Sequence, residues 1–134
     1  ERLIDVLALA LDSPNGDVPD LDGSVRSQRL RQVRHYIESN IGNPLLNPER
    51  VAAACQMSVR ALHYLFKGTG ESVSGHIWER RLQRCMQALQ MPTQHSRTIT
   101  DIALAAGFNS MSHFSSVFRR RFGVTPSDVR DASI

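Results

Sequence analysis

Arg60, His63 and Tyr64 fall on the outward side of a segment with helical periodicity, and together they carry what is needed to read a polar edge. A guanidinium is a rigid fork of N–H donors that suits the paired acceptors of a guanine edge or the oxygens of a phosphate. Placed in a first helical turn, as Arg60 is, such a contact is worth about 1–3 kcal/mol of discrimination. His63 and Tyr64 follow one turn later, although a histidine there serves equally well as a solvated helix residue. A second outward set, Ser112, Ser115 and Ser116, offers only short hydroxyls, which make weaker and less selective contacts. Around these two sets stand Ser58, Lys67, Arg97, Ser110, Arg119 and Arg120, candidates for phosphate oxygens.

The elements that must hold these side chains are helices. Leu30, Val33, Tyr36, Ile37 and Ile41 recur at three- and four-residue steps and define one buried face, which Gly42-Asn43-Pro44 closes. Asn47-Pro48 supplies an N-cap and a first-turn proline for a helix through Val51 and Ala54. After a turn at Gln56-Met57, Ser58 caps a helix over Val59 to Lys67 with Leu62, Leu65 and Phe66 inward and Val59 grouped with the outward set. A long helix is expected from Val73 to about Gln90, with Ile77, Leu82, Met86 and Leu89 buried. Thr98 or Thr100 caps a short helix carrying Ile99, Ile102 and Ala106. Ser110 caps the next, with Phe114, Val117 and Phe118 inward and Met111 placed outward. Gly123 ends it, and Thr125-Pro126 opens a last short helix through Val129.

The order repeats. Val51 to Ser58 matches Ile102 to Asn109 in small and apolar positions at an offset of 51, whereas Leu62 and Phe66 match Phe114 and Phe118 at an offset of 52. One extra residue in the second turn accounts for the change. Each unit is a helix of small residues, a turn, and a helix with a basic end. Small residues let the two helices cross closely and leave the second standing proud, as entry into a major groove about 12 Å wide requires. The fold class expected is all-α: two helix-turn-helix subdomains, at about 47–68 and 98–122, joined by the 73–90 helix. That helix would span about 27 Å at 1.5 Å per residue, a strut between grooves about 34 Å apart.

Charge supports the same direction. Residues 1–24 hold one basic and six acidic side chains, a net −5, while residues 25–134 hold 15 basic and seven acidic, a net +8, and 14 of the 15 are arginine. A field of this sign and size suits nucleic acid, although an RNA or an acidic protein would also answer to it. Aromatics at 6% are too sparse for an all-β core. With two cysteines, Cys55 and Cys85, neither at metal-ligand spacing, buried thiols are expected and no metal or cofactor. Glycine-rich phosphate loops, paired carboxylates and nucleophile triads are missing from the pattern, so the reading is not an enzyme. No stretch is apolar enough to cross a bilayer, and a cytoplasmic location is expected.

Residues 27–130 resemble the DNA-binding domain of the AraC/XylS family of transcription regulators. The resemblance is carried above all by DIALAAGFNSMSHFSSVFRRRFGVTPSDVR, residues 101–130, and by HIWERRLQRCMQAL on the linking helix. It implies binding to promoter duplex DNA by monomer or homodimer, activation through contact with RNA polymerase, and a small-molecule effector acting through an upstream domain. It also implies a structural role for Arg81-Leu82. The Ser116 position is commonly arginine in that family, so the second unit departs from the pattern.

Three local questions remain open at this level. Arg119, Arg120 and Arg121 cannot all face one way between Phe118 and Phe122, and they serve either the helix dipole or a phosphate. One of Arg80, Arg81 and Arg84 is expected to pair with Glu79 or another acid. Residues 1–24 read as the tail of an upstream domain, the apolar run Arg2 to Leu11, followed by a flexible acidic linker over 13–24, with 25–134 as the DNA-binding domain; an idle end segment is the plainer account of that tail. The competing functions are a protein-interaction module with weak DNA binding and a DNA-modifying enzyme carrying this domain as an appendage.

Overall fold

The computed structural model describes residues 17–94 and 96–132, and among them there are seven α-helices and no strand. They are α1 (Asp17–Ser39), α2 (Pro48–Ala54), α3 (Val59–Phe66), α4 (Val73–Gln90), α5 (Ile99–Ala105), α6 (Met111–Phe122) and α7 (Pro126–Ala132), with a 3-10 turn at Pro92–Gln94.

Local chemistry sets most boundaries. The side chains of Asn47, Ser58, Ser72, Thr98 and Ser110 each accept a hydrogen bond from the backbone N–H three residues on, the geometry of an N-cap. At Thr98 the bond is reciprocal: Asp101 accepts from the Thr98 N–H while Thr98 accepts from the Asp101 N–H. Thr125 and Asp128 make the same exchange before α7. Gly123 closes α6 in the left-handed conformation at φ 79°.

Within the span expected to be a flexible acidic linker, 13–24, the described residues from Asp17 onward are helical, and α1 runs unbroken to Ser39. The apolar run 2–11 and linker residues 13–16 lie outside the described residues.

Two hydrophobic cores flank α4. The first gathers Val33, Ile37 and Ile41 of α1, Val51 and Ala52 of α2, Leu62, Leu65 and Phe66 of α3, and Val73 and Ile77 from the start of α4. The second gathers Leu82, Cys85 and Leu89 from the rest of α4 with Ile102, Phe108, Phe114, Phe118 and Val129. Both cysteines are buried and free, and burial pushes the Cys85 thiol up to about 12. Val59 and Met111, grouped above with the outward residues, instead pack partly buried against the two cores.

Between the cores lies Arg81, 1% exposed. Its Nε donates to the Ile41 carbonyl at 3.1 Å and its Nη2 to the Asn43 carbonyl at 2.7 Å, and its guanidinium lies 4.8 Å from the Trp78 ring centroid. Burial lowers its pKa from the ordinary value, and the two carbonyls compensate the lost hydration. The loop that it grips touches the second unit directly. A Cβ on Gly107 would meet the Ile41 carbonyl oxygen at 2.5 Å, and one on Gly42 would meet the Ala105 carbonyl oxygen at 2.7 Å. The two units are thus fastened to one another by backbone contact as well as by the shared helix.

Candidate nucleic-acid interface

Each unit presents its second helix in the same manner. α2 leads to α3 through Cys55 to Ser58, and α5 leads to α6 through Ala106 to Ser110, one residue longer. The turn in each unit contains one left-handed residue: Gln56 at φ 59° in the first and Gly107 at φ 103° in the second. The repeat pairs Val51 with Ile102, Leu62 with Phe114 and Phe66 with Phe118, and all six are buried. Equivalent burial on the inner faces fixes equivalent exposure on the outer ones.

On α3, Arg60, His63 and Tyr64 are exposed, and Lys67 is exposed at the C-cap. On α6, Ser112, Ser115 and Ser116 are exposed together with Arg119 and Arg120. Ser58 and Ser110 use a lone pair to cap α3 and α6, accepting from the Ala61 and His113 N–H groups. Each hydroxyl keeps its own proton for donation, so a cap and a phosphate can share one side chain. Both second helices therefore begin with an exposed donor beside the positive end of a helix dipole.

Other candidates are less available. Arg97 is half-buried; its Nη1 donates to Gln94 Oε1 at 2.9 Å and its Nη2 to the Asp101 carbonyl at 3.3 Å. Arg120 Nη2 donates to Ser116 Oγ at 3.4 Å, which links a serine of the outward set to the basic end of the same helix. His113 is exposed on α6 and meets Trp78 edge-on at 5.0 Å between centroids.

The arginine-rich segments divide into bound and exposed members. Arg80 and Arg84 both pair with Glu38 of α1, at 2.9 and 3.0 Å. Of the expected partners, Glu79 or another acid, the structure has Glu38, and Glu79 is engaged by Arg121 of α6 at 2.8 Å. The Arg80 guanidinium, opposed in part by burial, holds the Glu38 carboxyl below its ordinary range, and Arg121 does the same for Glu79. The Arg119–Arg121 run is split accordingly: all three are exposed, and Arg121 is ion-paired to α4.

Sequence reasoning missed Arg26. From α1 its Nη2 donates to the carbonyls of Tyr64 at 2.8 Å and Lys67 at 2.9 Å, and its Cζ lies 4.9 Å from the Tyr64 ring centroid. Nothing in the spacing of residues 38 apart announces such a contact.

Two helix-turn-helix units on one strut, each with an exposed second helix, a capped start and a basic surround, define a helix-turn-helix nucleic-acid-binding protein. The comparisons with known proteins make this specific. Residues 51–132 match the model of a helix-turn-helix domain family. A transcriptional regulator with an AraC-type DNA-binding domain from Chromobacterium violaceum superimposes with a TM-score of 0.72 at 35% identity, covering 82% of this chain and 96% of that one. The HTH-type transcriptional regulator ArgR of Pseudomonas aeruginosa is 40% identical over 104 residues, 77% of this chain and 30% of its own length. The transcriptional activator NphR of a Rhodococcus species is 34% identical over 105 residues, 78% of this chain and 30% of its own. The chain belongs to the AraC-type DNA-binding domains of transcription regulators. It spans 30% of the length of ArgR and of NphR.

Proposed function

We propose that this domain binds promoter duplex DNA by placing α3 and α6 in successive major grooves, and that it serves a transcription activator. The observation that carries the reading is the pair of outward faces: both second helices expose their polar side chains while their inner faces are fully committed to the two cores. Arg60, His63 and Tyr64 read base edges from α3, with Ser112, Ser115 and Ser116 contributing weaker contacts from α6. Ser58, Lys67, Ser110, Arg119 and Arg120 hold phosphates, and Arg97 does so only by giving up its bonds to Gln94 and Asp101. Selectivity rests on the first unit and anchoring on the second.

Activation follows the names of relatives such as NphR, and it brings RNA polymerase as a partner. A small-molecule effector and a homodimer interface belong to a further domain of a longer protein, in keeping with the share of the relatives that this chain spans. The site of action is the cytoplasm, where the promoter is; among the described residues no helix is long and apolar enough to cross a membrane.

Binding to a duplex enriched from a random pool, against unenriched duplex and over a salt series, tests the proposal. Neutralisation of about 6–10 phosphates predicts a fall of about 10³–10⁵-fold between 50 and 200 mM salt, with the enriched duplex preferred throughout. A flat salt profile with no preferred sequence would overturn it.

A further inference from the structure

The two recognition helices end differently. α6 closes itself: Gly123 takes the left-handed conformation and returns its N–H to the Arg119 carbonyl at 2.8 Å. α3 has no such glycine cap. Its C-cap, Lys67, is extended at φ −63° and ψ 130°; the Lys67 N–H reaches the Tyr64 carbonyl at 3.1 Å, and Thr69 donates to the Phe66 carbonyl from its N–H at 3.1 Å and its Oγ1 at 2.7 Å. The last carbonyls of a helix have no intrahelical donor and carry the negative end of its dipole. In α3 the carbonyls of Tyr64 and Leu65, with that of the cap Lys67, are met from outside the unit by Arg26 of α1. One Nη2 lies 2.8 Å from the Tyr64 oxygen, 2.9 Å from that of Lys67 and 3.4 Å from that of Leu65. The same guanidinium faces the Tyr64 ring at 4.9 Å, within the range of a cation–π contact. α3 is only eight residues long, so a cationic clasp at its end adds to the seating that Leu62, Leu65 and Phe66 give it in the first core.

From this we infer that Arg26 is a positioning residue for base reading: it seats the C-terminal end of α3 and orients the Tyr64 ring without itself touching a base. The inference deepens the DNA-reading assignment above and rests on it. Arg26 precedes residues 51–132, where the helix-turn-helix family match lies. Tyr64 is 64% exposed, so its ring has solvent on its free side and the guanidinium on the other. With the clasp removed, the ring gains rotamers and the contact that it makes loses definition, while α6 keeps its own closure.

The test uses the whole chain and a duplex enriched from a random pool by the unaltered protein. Single base-pair substitutions through that duplex are then titrated against the unaltered chain, Arg26→Ala, Arg26→Lys, Tyr64→Ala and the Arg26→Ala/Tyr64→Ala double variant. Expected is a loss of about fivefold in discrimination at positions read by the first unit in Arg26→Ala, with positions read by the second unit unchanged. Arg26→Lys keeps the charge and the salt slope but not the planar guanidinium over the Tyr64 ring, and it loses discrimination at the same positions. In the double variant the effects do not add, because one side chain acts through the other. Three results overturn the inference alone: equal loss across both segments, additive effects, or unchanged discrimination with a salt slope reduced by about one phosphate. Should Arg26→Ala unfold, Arg26→Lys carries the same comparison. An unaltered chain that enriches no duplex overturns the DNA-reading assignment and this inference with it.

Discussion

Both carboxylate oxygens of Glu79 accept from Arg121, Oε1 from Nε and Oε2 from Nη2, each at 2.8 Å. The pair joins the strut α4 to the second recognition helix α6, and it withdraws one arginine of three from the exposed basic end. Replacing Glu79 with Ala frees Arg121 beside Arg120. Non-specific duplex binding should tighten, and the slope of log affinity against log salt should steepen by about one phosphate. An unchanged slope in a salt titration would show that Arg121 stays out of reach of DNA.

Arg81 makes a different kind of joint. Its charge is buried and satisfied by the Ile41 and Asn43 carbonyls. Arg81→Ala leaves both acceptors unmet and a void beneath Trp78, and should destabilise the fold by about 3 kcal/mol in denaturant unfolding. Arg81→Lys, with one donor group on a flexible stem, should recover part of that loss.

The two left-handed turn residues predict opposite outcomes for simple substitutions. Gly107→Ala adds a Cβ 2.5 Å from the Ile41 oxygen at φ 103°, and should lower stability by about 2 kcal/mol or more. Gln56 occupies the equivalent place at φ 59° and is exposed, so Gln56→Gly relieves strain and should stabilise by about 0.5–1 kcal/mol. Thermal unfolding of both variants reads the contrast, and stabilisation by neither glycine would break the equivalence of the turns.

Acid should weaken the fold through α1 and α4. Arg80, with Arg84, depresses the Glu38 carboxyl below its ordinary value of 4.5. A depressed folded-state pKa contributes stability that is present above 4.5 and lost as pH falls through the depressed value. Glu38→Gln removes that contribution, so its stability should fall less than that of the unaltered chain between pH 5 and the acid limit. Parallel pH profiles of the two proteins would refute the assignment.

Ser116 predicts the effect of a longer side chain on α6. It is exposed, and its Oγ accepts a long bond from Arg120. Ser116→Arg should tighten duplex binding and steepen its salt dependence, as added cationic reach toward phosphate or a guanine edge requires. Unchanged affinity in a fluorescence anisotropy titration would place that face of α6 away from DNA.

The features legible in the sequence are those whose cause is local. Asn47, Ser58, Thr98 and Ser110 cap helices within three residues of themselves, so residue type and spacing suffice to find them. The inner faces of α1, α3 and α6 follow from three- and four-residue steps. The pairings that fasten the units together leave no such trace. Arg26 with Tyr64, Arg81 with Asn43, Arg80 with Glu38 and Arg121 with Glu79 are each separated by about 40 residues. Any arginine on a helix could have been chosen for them, and only the crossing of helices decides which.

Footprinting on an enriched or native promoter duplex tests the central claim most directly. The account predicts two protected major-groove segments one helical turn apart, about 10–10.5 base pairs between centres, with Arg60→Ala clearing the segment read by α3 and leaving that of α6. One protected segment, or two whose protection responds alike to Arg60→Ala, would contradict it.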